Sequence, residues 1–169
     1  TFSRSASISF AVGLYGLAFG AASVAAGFSV LQTCLFSLLL FSGASQFASV
    51  GVIGAGGTPL AAIATSTLLG IRNGLYAIVL TPILQLKGFN KVIAAQITID
   101  ESTGVALGEE HRGIQAQRQG FWLTGVGVYL LMHPLQSLQS CLQFQMFVNH
   151  MPMEIVPTIS QEPFWQHLV

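Results

Sequence analysis

Long apolar stretches fill most of the chain, and short segments rich in glycine, proline or charge separate them. These breaks are "GFS" after Ala26, "GAGGTP" after Ile53, "QLKGFNK" after Leu84 and "GEEHRGIQAQR" after Leu107. A helix needs about 20 apolar residues to cross a bilayer, and glycine with proline marks turns. The pattern therefore predicts five membrane helices, at residues 5–26, 30–53, 60–84, 92–107 and 119–132.

The composition supports lipid as the surrounding medium. The 169 residues are 52% hydrophobic and only 7% charged, whereas a soluble domain has about 25% charged residues. No charged residue and no histidine occurs between Arg4 and Arg72. We therefore expect an all-α, polytopic transmembrane bundle of about five spans, in which some helices are broken. The net charge of zero gives no electrostatic basis for binding nucleic acid.

Small residues line one side of the first predicted span. Gly13, Gly16 and Gly20 share a face, and Gly16 with Gly20 forms a GxxxG pair. Small residues allow helix backbones to approach closely in lipid. This face is expected to pack against another helix, or to act as a sliding surface in a transporter.

The chain changes character after Met132. The remaining sequence is rich in Gln and Pro and has no apolar run long enough to cross a bilayer. We therefore divide the chain into a transmembrane helical domain, residues 1–132, and a second segment, residues 133–169. The second segment is interpreted as a poorly packed tail or as an amphipathic helix on the membrane surface.

Three polar clusters interrupt the apolar runs. The first contains Ser42, Gly43, Ser45 and Gln46. Gly43 weakens the helix, and Ser and Gln side chains can satisfy backbone groups that a helix break sets free. Such a break would expose amide and carbonyl groups to a ligand. An intact helix whose Ser and Gln side chains bond to neighbouring helices is the other interpretation.

The second cluster is Arg72 with Asn73, between Gly70 and Gly74. An arginine in the middle of a membrane costs roughly 3 kcal/mol on insertion scales, so it favours a partner or a polar cavity. A carboxylate is the natural partner, because the guanidinium can bind it with two hydrogen bonds. Alternatively, Arg72 extends its charge to the membrane surface.

The third cluster is the acidic pair Asp100 and Glu101. Adjacent helical residues point about 100° apart, so both acids cannot face one partner. One acid is expected to pair with Arg72 while the other faces a cavity or water. Acids within a span suggest a functional site, including proton coupling; a charged helix end at the membrane surface is the alternative.

Three blocks carrying these clusters resemble a known family. In order they are "GLAFGAASVAAGFS", "LFSGASQFASVGVIGAGGTPLAAIATSTLLGIRNGLYAIVLTP" and "ITIDESTGVAL". Together, over residues 13–132, they resemble the AzlC-type large subunit of branched-chain amino-acid exporters. The chain differs in having Asn73 where the family favours His. It also has the Gln-rich segment where the family continues with apolar helices, which suggests a truncated or frame-shifted member.

The resemblance implies a multi-pass protein of the bacterial inner membrane that works with a small AzlD-type membrane subunit. It implies export of valine, leucine and isoleucine, and it assigns the substrate site to residues of the three clusters: Ser42, Gly43, Ser45, Gln46, Arg72, Asn73, Asp100 and Glu101. A non-transporting membrane scaffold, or a degraded relative of such a permease, is the alternative function.

The sequence gives no indication of an enzyme, a cofactor or a metal. No HExxH, GxGD, GxSxG or P-loop motif is present. Cys34 and Cys141 are isolated, with no spacing typical of a metal or redox centre. We therefore expect neither hydrolysis nor ATP binding by this chain.

Overall fold

The computed structural model describes residues 1–150, except for the side chains of residue 144 and residues 147–150. Over this range the chain forms seven α-helices, one short 3-10 helix and no strand. The α-helices are α1 (Phe2–Ala25), α2 (Val30–Leu39), α3 (Gly43–Gly54), α4 (Pro59–Leu84), α5 (Asn90–Gln96), α6 (Asp100–Gly108) and α7 (Ile114–His150). The 3-10 helix, Glu110–Arg112, connects α6 to α7. The predicted all-α bundle is confirmed.

Two helices of the described range, α1 and α4, are long and apolar enough to cross a membrane. The apolar helix α2 is shorter. The pairs α2–α3 and α5–α6 each have about the length of one crossing when taken together. The prediction of about five crossings therefore stays a prediction, and the structure changes what two of those crossings would look like.

The second and fourth predicted spans are each two helices rather than one. The first break lies between Leu39 and Gly43, where Ser42 has an extended backbone with φ −149°. The second lies between Gln96 and Asp100, where Ile99 is extended with φ −129°. The broken-helix interpretation of the first polar cluster is confirmed, and the intact-helix alternative is wrong.

Helix α7 extends beyond the predicted fifth span at both ends. It begins at Ile114, inside the segment predicted as a hydrophilic loop, and continues past Met132 to His150. The expectation of poor packing is wrong for residues 133–143, because Gln136 and Ser140 are buried. The physical reason is that these polar side chains find partners: the Gln136 amide donates to the Thr33 carbonyl and accepts from Ser37. Residues 151–169 lie outside the described range, so the division at Met132 stays a prediction.

The glycine face of α1 packs along α7, and these two helices form the most extensive interface among the described elements. A Cβ atom at Gly16 would lie 2.6 Å from the Met132 carbonyl oxygen, and one at Gly20 would lie 2.6 Å from the Gln136 carbonyl oxygen. No side chain fits at these distances, so the glycines set the separation of the two backbones. The small face is therefore a close-packed interface.

The two broken helices meet at their breaks. The Gln96 amide donates to the Leu38 carbonyl at 2.9 Å, which joins the end of α5 to the end of α2. Around this point a core cluster contains Phe41 and Ile99, one from each break, packed with Val128 and Met132 of α7. The fold therefore places both irregular segments against the same face of α7.

We predict that Gly20→Ala destabilises the protein and that Gly74→Ala does not. The added methyl at Gly20 must push α1 from α7, which costs about 1–3 kcal/mol for overpacking. A methyl group added at Gly74 would have no neighbouring atom within 4 Å, and alanine in place of a helical glycine stabilises by about 0.5–1 kcal/mol. Thermal unfolding of the purified variants in detergent measures both effects. Equal midpoints for the two variants would contradict the close-packed interface.

Candidate functional site

An ion pair connects α4 to α6. The Arg72 Nη2 atom lies 2.9 Å from Asp100 Oδ2, and the two side chains are 37% and 41% exposed. The second oxygen of Asp100, the Arg72 Nε and the side-chain amide oxygen (Oδ1) of Asn73 are buried without a partner among the described residues. The expected pairing of Arg72 with one acid is thus present, and it leaves hydrogen-bonding capacity unused.

The acidic pair occupies the first turn of α6, where Asp100 and Glu101 compensate the positive end of the helix dipole. Their side chains diverge, as the helical geometry requires. Asp100 pairs with Arg72, while Glu101 lies on the wall of an open-sided cavity of about 490 Å³. Among the described residues, Glu101 is the one charged side chain on that wall.

The cavity lies where the two helix breaks meet α1 and α7. Most of its wall is apolar and comes from four parts of the chain: Val12 and Ala18 of α1, Phe41 of the first break, Phe47 of α3, and Val128 and Met132 of α7. Tyr15 and Ile99 also line the cavity. Such a combination of an apolar wall and few polar groups is typical of a small-molecule site.

The first turn of α3 also faces the cavity, through Gly43 and Ala44. The first amide groups of a helix have no helical acceptor, and the Ser42 side chain does not cap this helix. Unlike α6, α3 has no acidic residue in its first turn. The cavity therefore has an uncompensated positive helix end on one part of its wall and the Glu101 carboxylate on another.

The remaining predicted residues lie in the supporting structure. The Ser45 hydroxyl donates to the Ser66 carbonyl of α4 at 3.0 Å. The Gln46 amide donates to the Leu40 carbonyl at 2.6 Å and to the Ser37 hydroxyl at 3.1 Å. Both side chains are completely buried. The structure thus places Gly43 and Glu101 on the cavity, and Ser45 and Gln46 in the packing that holds α3.

Sequence reasoning missed the apolar wall. Val12, Ala18 and Phe47 carry no chemical signal that separates them from lipid-facing residues. Val128 and Met132, four positions apart on one helix face, were the one available indication. His133, whose ring packs on Phe41 and Tyr129, was also missed because it was assigned to the poorly packed tail.

The described residues thus form an all-α fold in which two broken helices meet beside a cavity. A family model described as AzlC protein matches residues 7–136. The chain therefore belongs to the AzlC family, and the resemblance noted in the sequence is confirmed. The family is a membrane transporter family associated with branched-chain amino-acid transport, and its members generally work with an AzlD partner. Comparisons with curated proteins and with solved structures give no match.

We predict that Arg72 and Asp100 are energetically coupled. A double-mutant cycle of Arg72→Ala, Asp100→Ala and the double variant should give a coupling of about 0.5 kcal/mol or more in the free energy of unfolding. Arg72→Lys should recover only part of it, because an ammonium group cannot reproduce the planar fork of the guanidinium. Unfolding by denaturant in detergent provides the measurement. Additive effects of the two single variants would show that the ion pair does not hold α4 to α6.

Proposed function

We propose that this chain is the large subunit of a secondary exporter of branched-chain amino acids. It would be a multi-pass protein of the bacterial inner membrane, working with a small AzlD-type subunit to export valine, leucine and isoleucine. Family membership supports transport. The observation that carries the substrate class is the cavity, which offers one carboxylate and one free helix N-terminus beside an apolar wall.

A zwitterionic amino acid matches these three elements. Its ammonium group would bind the Glu101 carboxylate, and its carboxylate would accept from the free amides of the first turn of α3 at Gly43 and Ala44. Its aliphatic side chain would lie against Val12, Phe47 and Met132. Broken helices whose N-termini point at an anionic substrate group are a recurring solution in secondary transporters.

The other members of the predicted site would act by positioning these groups. The Arg72–Asp100 ion pair, with Asn73 beside it, would hold α6 so that Glu101 faces the cavity. Ser42 would direct the chain into α3, while Ser45 and Gln46 would fix the start of α3 against α4 and α2. We therefore propose direct substrate contact for Gly43 and Glu101, and support for the rest.

We predict that Glu101→Gln reduces valine export by about 10- to 100-fold, because a hydrogen bond to a charged group contributes about 1.5–3 kcal/mol. Export would be measured in vesicles that contain the chain with its small partner. Glu110→Gln, in the 3-10 helix between α6 and α7, is the matched control and should export normally. Wild-type rates for Glu101→Gln would refute the site, and no export by the unmutated chain would indicate the non-transporting scaffold instead.

We predict that Ala18→Phe lowers leucine export relative to valine export, by about tenfold or more. The added ring would occupy part of the apolar cavity, and the larger substrate loses its space first. Ala11→Phe is the control, because Ala11 is exposed on the same helix and does not line the cavity. The leucine-to-valine ratio in competition assays reports the effect. An unchanged ratio for Ala18→Phe would argue against this cavity as the place where the side chain is selected.

A further inference from the structure

A second polar cluster lies outside the cavity, where α2, α3 and α7 meet. It consists of Ser37, Gln46, His133 and Gln136, and all except His133 are almost completely buried. Phe41 separates the cluster from the cavity, since its ring contacts the imidazole with centroids 5.7 Å apart and also lines the cavity wall. In the proposed binding of an amino acid Gln46 has only a supporting role, and His133 and Gln136 have none.

The hydrogen bonds of Ser37 determine which nitrogen of His133 carries a proton. The Ser37 hydroxyl donates its single hydrogen to Gln136 Oε1 at 2.7 Å and accepts from Gln46 Nε2 at 3.1 Å. His133 Nδ1 lies 3.4 Å from the same oxygen. Because the serine hydrogen is already used, Nδ1 must be the donor in this contact. Neutral His133 then carries its lone pair on Nε2.

Two unused atoms belong to this network. Among the described residues, His133 Nε2 is buried without a partner, and so is Gln46 Oε1. His133 Nε2 is an acceptor while the imidazole is neutral, and it becomes a donor when it binds a proton. Gln46 Oε1 can only accept. Both belong to side chains that contact the same Ser37 oxygen. A proton on Nε2 would therefore place a positive charge beside a Ser37 oxygen that the Gln46 amide also contacts.

No charged side chain is bonded to this imidazole among the described residues. Tyr129 is the titratable group that touches it, with ring centroids 4.3 Å apart. On α2, Cys34 contacts Ser137. Several titratable groups of the helices packed on α7 are engaged elsewhere or face the cavity: Arg4 beside Gly108, Tyr15 and Glu101 on the cavity, Arg72 with Asp100, and Glu109 with Arg112. Tyr76 of α4 and the exposed Glu110 and His111 of the 3-10 helix form no hydrogen bond or ring contact with the imidazole in the part of the chain that the structure describes.

We propose that His133 is the proton-binding residue that couples the cavity to the solvent proton concentration. A proton from water binds the Nε2 lone pair, and the resulting imidazolium makes Nδ1–H a stronger donor to Ser37 Oγ, where it competes with the Gln46 amide for the same oxygen; release returns the proton to water. Gln46 lies in the first turn of α3 and holds the Leu40 carbonyl at the helix break. Weakening the bond from the Gln46 amide to Ser37 therefore shifts the helix end that lines the cavity. The link to export depends on the proposed function, whereas proton binding at His133 does not.

The first experiment is ¹⁵N spectroscopy of the histidine side chains in the full chain, in lipid nanodiscs, with His133→Asn to assign the signal. We expect neutral His133 to carry its proton on Nδ1, and acidification to add a second proton at Nε2. Ser37→Ala should increase the share of the Nε2-protonated tautomer. A neutral imidazole protonated on Nε2 in the unmutated chain, or one that takes up no proton while the protein stays folded, would overturn the proposal.

The second experiment measures valine transport in vesicles with and without a pH gradient. Asparagine at position 133 keeps an N–H group for Ser37 but cannot bind a proton, so His133→Asn should retain valine exchange and lose the response to the gradient. His111→Asn, in the 3-10 helix, is the matched control and should respond normally. A normal response by His133→Asn would overturn the coupling. If the unmutated chain moves no valine, the proposed function fails, and the spectroscopic experiment still decides whether His133 binds the proton.

Discussion

Interrupting a helix inside an apolar protein leaves backbone carbonyl and amide groups without partners, and most of the described structure follows from how these groups are satisfied. Glutamine side chains meet the carbonyls at the first break: Gln96 donates to Leu38 and Gln46 donates to Leu40. At the second break the Ser102 hydroxyl donates to the Ile97 carbonyl and accepts from the Ile99 amide. Both breaks thereby become fixed features, and the cavity lies between them and α7.

The two helices that begin at these breaks differ in whether side chains compensate the positive charge at their N-terminal ends. Helix α6 starts with two acids, so its own side chains neutralise its positive end. Helix α3 starts with Gly43 and has neither an acid nor a serine cap. An asymmetry of this kind in one cavity favours a ligand that carries both charges. The two adjacent acids also differ in their surroundings, since Arg72 holds Asp100 while Glu101 lines the cavity.

Chemistry that is rare in an apolar chain could be predicted from the sequence, and ordinary packing could not. Arg72, Asp100 and Glu101 stand out because each charge in a span is costly, and the structure does pair Arg72 with one acid. The break at Ser42 and Gly43 was one of two open interpretations of that cluster, since glycine weakens a helix and Ser and Gln can satisfy the freed backbone groups. The continuation of α7 past Met132 was not predictable, because a Gln-rich helix lacks the apolar run that marks a span. Its polar residues are stabilised by contacts with α1 and α2 that one-dimensional periodicity does not contain.

The close packing of Gly16 and Gly20 on α7 has a consequence for biosynthesis. It joins the first helix of the chain to the last described one, so the partner of the glycine face is synthesised only after all the intervening helices. Until then α1 presents its small face to lipid or to other helices, and the first break lacks the α7 side chains that pack on it. Contacts so distant in sequence form late, because the long intervening chain must first be ordered. The cavity therefore does not form before α7 joins the bundle, because Val128 and Met132 of α7 are part of its wall.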